Sequence, residues 1–296
     1  MSMQATIYYR GKLSSCNYSC PYCPFSKTVD SKDTLMQDRE QLSRFMEWVR
    51  EQQHYGHQLS IFFNPYGEAL VHSWYREAMI ELSHMSHVNK VAVQTNLSVK
   101  LDWTAQLNPT KVSFWATYHP EQVREDRFVA QAMTLYQQGI VFSAGTVGLR
   151  EAFPAIHRLR ARLPEDVYVW VNAFKDRPHY YNEAEVEELS GIDPYFRYNL
   201  QDYDSLGQAC QAGEHVFYVQ GSGIVKRCYQ DKRVIGHLYR HSLEKLSQDR
   251  PCQMKTCGCY IGYIHMKDQP FDSMYGSHLL ERVPQSYRTL STAMQR

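Results

Sequence analysis

Short apolar runs rich in β-branched and aromatic residues recur through the first two-thirds of the chain and alternate with helical periods. The runs predict strands at 6–9, 59–63, 90–94, 111–116, 140–147 and 167–171. Between them, Leu42, Phe45, Met46 and Val49 repeat at helical spacing, as do Tyr75, Ala78, Met79 and Leu82. Phe128, Val129, Ala132, Met133 and Tyr136 mark a third helix face, with Gly139 as its stop. Further helices are expected at 151–162, with Pro154 in the first turn, and more weakly patterned at 102–107. Asn182 with Glu185 three residues on reads as a capping box opening a last helix that Gly191 closes. Six β/α cycles imply a parallel sheet with helices outside, curling into a partial (β/α)6 barrel short of the closed eight. Chemistry in such folds sits on the loops after the strand C-termini.

After residue 195 the pattern changes. Residues 215–220, Gly221-Ser222-Gly223 and 224–229 read as a β-hairpin, 241–248 as a short helix, and the tail from 268 on is turn-rich. The expected organisation is a barrel over 1–195 and a smaller hairpin/helix extension over 196–296. The chain has 296 residues, 32 Lys+Arg against 31 Asp+Glu. That balance gives no broad basic field and argues against nucleic acid. No apolar run reaches the ~18 residues of a membrane span, and residues 1–12 lack the apolar core of a secretory signal. A cytoplasmic location is expected, where structural disulfides are rare. The eight cysteines therefore need another role, and they divide unevenly, three at 16–23 and five at 210–259.

Cys16-Asn-Tyr-Ser-Cys20-Pro-Tyr-Cys23 follows the first strand directly, spaced C-x3-C-x2-C. Three close thiolates suit a soft metal centre. Zinc wants a fourth ligand, and no other Cys or His is near in sequence, whereas an iron–sulfur cluster can use three cysteines and leave one iron open. The spacing, with Tyr22 before the last cysteine, resembles the signature of the radical S-adenosylmethionine (SAM) superfamily. The resemblance implies a [4Fe–4S] cluster on Cys16, Cys20 and Cys23, whose open iron chelates SAM and whose reduced form cleaves it to a 5′-deoxyadenosyl radical. Pro65-Tyr66-Gly67-Glu68 resembles the family's G-G-E segment with Tyr66 replacing the first glycine, so Glu68 is expected to accept from the SAM ammonium. Thr95-Asn96, Thr117-Tyr118-His119-Pro120 and Ala144-Gly145-Thr146-Val147 resemble later SAM-contacting segments. They nominate Asn96, Thr117 and Val147 as SAM contacts, with Arg124 as a partner for its carboxylate. His119, at a strand end, is a candidate proton acceptor.

Cys210, Cys228, Cys252, Cys257 and Cys259 form the second group. C-x12-G-x4-C from Cys210 to Cys228 resembles the entry to the twitch and SPASM extensions that hold an auxiliary [4Fe–4S] cluster; Cys252-x4-Cys257-x-Cys259 departs from their usual C-x2-C pairs. Four of the five would ligate one cluster, which transfers electrons or binds substrate. Zinc is the competing occupant. Lys226, Arg227, Lys232 and Arg233 read as a solvated hairpin face or a surface for an acidic partner.

The chain is also similar to short uncharacterised radical SAM proteins. The leading expectation is an enzyme that abstracts hydrogen from a peptide or small metabolite in a biosynthetic pathway, reduced by a flavodoxin- or ferredoxin-type donor. A glycyl-radical-enzyme activase and a non-catalytic zinc or iron–sulfur interaction protein are the alternatives.

Overall fold

The computed structural model describes residues 2–25, 27–259, 263–276 and 281–287. The six expected strands form as β1 (Gln4–Arg10), β2 (Gln58–Phe63), β3 (Val88–Thr95), β4 (Val112–Thr117), β5 (Val141–Val147) and β6 (Tyr168–Asn172), each parallel to the next. Helices α1 (Lys32–Gln52), α2 (Ser73–His84), α3 (Glu125–Gln137) and α4 (Phe153–Arg162) lie between them and α5 (Glu183–Ser190) follows β6; a 3-10 turn, Asp102–Gln106, stands where α2's successor was expected. Helix α1 begins ten residues before its apolar period, because Ser31 caps it by accepting from the Thr34 amide. The helix expected at 151–162 opens as a 3-10 turn and becomes α-helical at Phe153, where Pro154 has no N–H to waste. Gly139 adopts φ 68°, the left-handed conformation that ends α3 cheaply only at glycine. The Asn182–Glu185 capping box forms in full.

The strands are buried on both sides, as parallel strands are. Ile7, Tyr9, Ile61, Phe63, Val91 and Val93 pack under the helices, while Tyr8, Phe62, Ala92, Trp115, Tyr168 and Trp170 fill the opposite, concave face.

Beyond α6 (Phe196–Leu200) and β7 (Tyr203–Asp204), the hairpin forms as β8 (Val216–Gln220) and β9 (Ile224–Lys226), followed by β10 (Val234–His237). It does not stand apart from the barrel sheet. Strand β8 pairs parallel with β1, from Thr6↔Val216 to Arg10↔Gln220, so one sheet of nine runs β10-β9-β8-β1-β2-β3-β4-β5-β6. An apolar β1 edge would otherwise be open to pairing with other chains, and β8 covers it. Helix α7 (Leu243–Leu246), strand β11 (Thr256–Cys257), antiparallel to β7, and α8 (Phe271–Tyr275) complete the described elements. No helix among the described residues is long and apolar enough to cross a membrane.

The turn-rich tail returns to the concave face. Glu281 is fully buried and pairs with Lys90 at 2.8 Å and the Ser113 hydroxyl at 3.1 Å, and its carbonyl accepts from Ser143 at 2.6 Å. Arg282 stacks over Trp170 at 4.5 Å and Trp115 at 5.8 Å. The tail thus backs the face on which the cavity described next is built.

Candidate active site

The loop after β1 is held by local polar contacts. Asp30 accepts from the amides of Ser14 and Ser15 at 2.7 and 2.8 Å, and Lys27 donates to the Cys20 carbonyl at 2.8 Å. The loop after β2 docks directly on it, with Gly67 N donating to Leu13 O and Glu68 N to Ser15 O at 3.2 Å. A Cβ on Gly67 would lie 1.9 Å from the Ser15 carbonyl oxygen, so only glycine permits this approach.

Glu68 is 4% exposed. Its Oε1 accepts from the Thr95 hydroxyl at 2.7 Å and the Leu70 amide at 3.1 Å, and its Oε2 accepts from the Asn96 amide at 2.7 Å. Burial nonetheless raises its pKa, the three donors opposing that effect. A carboxylate has about four acceptor sites, so Oε2 keeps capacity for one more donor. Asn96 in turn reaches the cysteine loop, its Nδ2 donating to Asn17 Oδ1 at 3.0 Å. The first cysteine loop and the ends of β2 and β3 are therefore one hydrogen-bonded body.

These loops open onto a cavity of about 420 Å³ at the C-terminal ends of the strands. Cys16, Cys20 and Cys23 line it together with Tyr22, Glu68, Asn96, Thr117, His119 and Val147. Cys20 is buried and its neighbours are half-buried. Burial pushes the Cys20 thiol up to about 11 and the Cys16 thiol upward, so deprotonation there needs a cation to offset the desolvation. Several buried polar atoms of the wall have no protein partner: Trp115 Nε1, Thr117 Oγ1, Trp170 Nε1 and Asn172 Oδ1. Unpaired groups are expensive in a protein interior and mark surfaces built to face a ligand.

His119 shares a 2.7 Å hydrogen bond through Nδ1 with the Tyr22 hydroxyl and stacks on that ring at 5.9 Å. Burial pushes its pKa down to about 4, against about 6.5 for a free imidazole. The unfolded chain therefore takes up this proton first as pH falls, and the stability held above pH ~6.5 is lost on the way down to about 4. His119→Gln, which keeps a hydrogen-bonding partner for Tyr22 without titrating, is expected to lose less stability than wild type between pH 7 and pH 5. Urea denaturation of both metal-free proteins at the two values checks this; equal losses would contradict it.

The five later cysteines line one narrow cleft. Cys210 and Cys252 are buried and the other three half-buried. Burial raises Cys210, pushes Cys228 up to about 11 and Cys257 up to about 12, with the neighbouring thiols adding to the last. Arg227 lines the same cleft, and it corrects the expectation of a solvated basic hairpin: it is 1% exposed, donates Nε to Arg250 O, and has no partner on Nη2. Among the described residues, no three His, Cys, Asp or Glu side chains converge as ligands for one metal ion. Cys259 lines both this cleft and the large cavity, as do Tyr229 and Gln230.

No protein-family model matches the chain, and no curated protein matches it. Solved structures do. Native anSMEcpe with bound AdoMet superposes with a TM-score of 0.54 at 15% identity, covering 82% of this chain and 80% of that one. The same protein with AdoMet and the Cp18Cys peptide gives 0.52 at 14% identity, over 83% and 80%. The chain shares the fold of that AdoMet-bound protein. Within this fold, the residues nominated from the first cysteine motif and from the ends of β2, β3, β4 and β5 meet in one cavity, with one exception. Arg124 caps α3 and lines a neighbouring depression with Gln122, Arg127 and Tyr18, the last shared with the main cavity. Sequence reasoning also passed over Arg10, Trp115, Trp170, Asn172 and Tyr218, all on the cavity wall. Arg10 and Asn172 are the last residues of β1 and β6, so the rule that strand C-termini carry the chemistry could have found them.

Proposed function

We propose that the protein is a radical SAM enzyme acting on a peptide or small metabolite, with Cys16, Cys20 and Cys23 as ligands of the SAM cluster. The observation that carries this reading is that those three thiols, Glu68 and the unpartnered Thr117 and Asn172 oxygens line one cavity at the strand ends. The donor set fits: soft thiols and polar groups without protein partners line the same cavity. When bound, a reduced [4Fe–4S] cluster and SAM supply a 5′-deoxyadenosyl radical that takes a hydrogen atom from the substrate. The chain's own groups orient and shield. Glu68, fixed by Thr95, Asn96 and Leu70, presents Oε2 to the SAM ammonium. Asn96, Thr117 and Val147 supply its further contacts, Tyr22 and His119 wall the cysteine loop, and the Trp115 and Trp170 rings exclude water from the far side.

Residues 196–296 would add a second, auxiliary cluster. Five thiols on one cleft offer more than the four such a cluster takes. Arg227, buried beside them without a carboxylate partner among the described residues, balances the negative charge of a thiolate-bound cluster. Cys259, shared by cleft and cavity, supports a cluster close to substrate, where it would exchange electrons with it or bind it. The electron donor would be a flavodoxin or ferredoxin. The peptide reading draws support from the peptide bound by the structural neighbour.

The test is anaerobic incubation of the reconstituted protein with dithionite and SAM. 5′-Deoxyadenosine and methionine are expected, and neither forms when dithionite is left out. Intact SAM after prolonged incubation of iron-loaded protein would refute the assignment.

A further inference from the structure

The cavity wall contains one Lys or Arg among the described residues, Arg10, and the assignment above gives it no task. It ends β1, immediately before the loop that carries the first cysteines. Its guanidinium lies among three tyrosine rings, 4.3 Å from Tyr66, 4.9 Å from Tyr229 and 5.7 Å from Tyr218. Those rings come from the loop after β2, from the residue after Cys228, and from β8, so the arginine sits where the two cysteine groups face each other. Phe25, two residues past Cys23, closes the box against Tyr66 at 4.7 Å.

The rings supply attraction for a cation but no hydrogen-bond acceptors in the guanidinium plane. An arginine carries five N–H donors. Arg10 uses Nε on the Asn64 carbonyl at 3.0 Å; Nη1 is buried without a partner. Neither carboxylate on the cavity wall serves it. Glu68 is held by its three donors, and Asp176 is exposed. A half-buried guanidinium set among aromatic rings, with Nη1 unpartnered and no carboxylate beside it, is a fork suited to an oxyanion.

We infer that Arg10 anchors the substrate through an anionic group, a carboxylate or a phosphate, held between the SAM side of the cavity and the second cysteine group. The inference rests on the proposed function for what happens to the substrate, but the anion site stands on its own geometry. It narrows the substrate class to acids: a peptide presenting its C-terminus or an acidic side chain, or a carboxylated or phosphorylated metabolite. Tyr66, in the place the family gives to glycine, becomes part of the substrate clamp.

The reconstituted holoenzyme is titrated calorimetrically, at low ionic strength and without chloride, with acetate, inorganic phosphate and, as the neutral control, acetamide. One equivalent of acetate or phosphate binds wild type, and acetamide does not. Arg10→Gln weakens the anion at least tenfold, and Arg10→Lys, which keeps the charge but loses the fork, falls between. The tighter of the two anions names the group. Thermal melts and iron content of both variants show that they fold. Equal anion binding by wild type and Arg10→Gln, or none by wild type, overturns the inference. So does a tenfold loss of SAM affinity in Arg10→Gln with anion binding kept, since the arginine would then hold the cofactor. A wild type that binds the anion but makes no 5′-deoxyadenosine retains the site and removes the radical SAM assignment; the reverse result removes the site alone.

Discussion

Cys20→Ala is expected to end 5′-deoxyadenosine formation and to remove about four irons from a protein that otherwise holds about eight, two [4Fe–4S] clusters' worth. Cys20 is the most telling of the three positions, because it is the buried one and its thiol lies at the centre of the loop. The Cys23 amide closes a turn on its carbonyl at 3.2 Å, and Lys27 donates to the same oxygen. Those backbone contacts survive truncation at Cβ, so the loop should keep its course while losing a ligand. The variant therefore separates ligation from folding. Iron and sulfide analysis with a SAM-cleavage assay checks it. A variant with undiminished iron and activity would mean that the motif's likeness to radical SAM enzymes misplaces the ligands.

Gly67→Ala carries the second large effect, and it comes from sterics alone. The added methyl would meet the Ser15 carbonyl oxygen at 1.9 Å and backbone carbons of Ser14 and Ser15 within 3 Å. Nothing there is a flexible side-chain end, so the two loops must separate. Separation breaks the Gly67–Leu13 and Glu68–Ser15 backbone bonds and shifts Glu68 off its three donors. Overpacking of this kind costs about 1–3 kcal/mol, and leaving buried polar groups unmet adds about as much again. The expected result is a lower melting temperature together with at least a tenfold loss of SAM affinity. Glu68→Gln, which keeps the loop contact, should lose SAM affinity with a smaller change in melting temperature. If Gly67→Ala melts and binds SAM like wild type, the two loops do not dock as described.

The barrel was legible because its signals are local. Each of the six strands is a short β-branched or aromatic run between punctuated helices, and all six form within two residues of their expected ends. The first cysteine motif was legible for the same reason, its spacing lying within eight residues. What sequence could not supply is contact across the chain. The parallel pairing of β8 with β1 joins residues some two hundred positions apart, and a hairpin pattern carries no sign of which edge it will cover. Glu281 and Arg282 sit in a tail whose composition reads as turn, yet both are buried. An ion pair with Lys90 and stacking on Trp170 anchor them rather than any apolar period. Arg10 was hidden by its strand: it completes an apolar run, and only the tyrosines from three other segments give it meaning. Arg227 likewise reads as one of four hairpin charges until burial sets it apart from the rest.

The three-plus-five division of the cysteines carries the whole account: three thiols on a cavity at the strand ends, five on an adjoining cleft, and Cys259 on both. The most direct measurement is metal and sulfide content after anaerobic reconstitution, with Mössbauer spectra to assign cluster type. The account predicts about eight irons and eight sulfides per chain, all as [4Fe–4S], and about four of each in Cys20→Ala. Stoichiometric zinc at both sites, with no iron or sulfide retained, would contradict it.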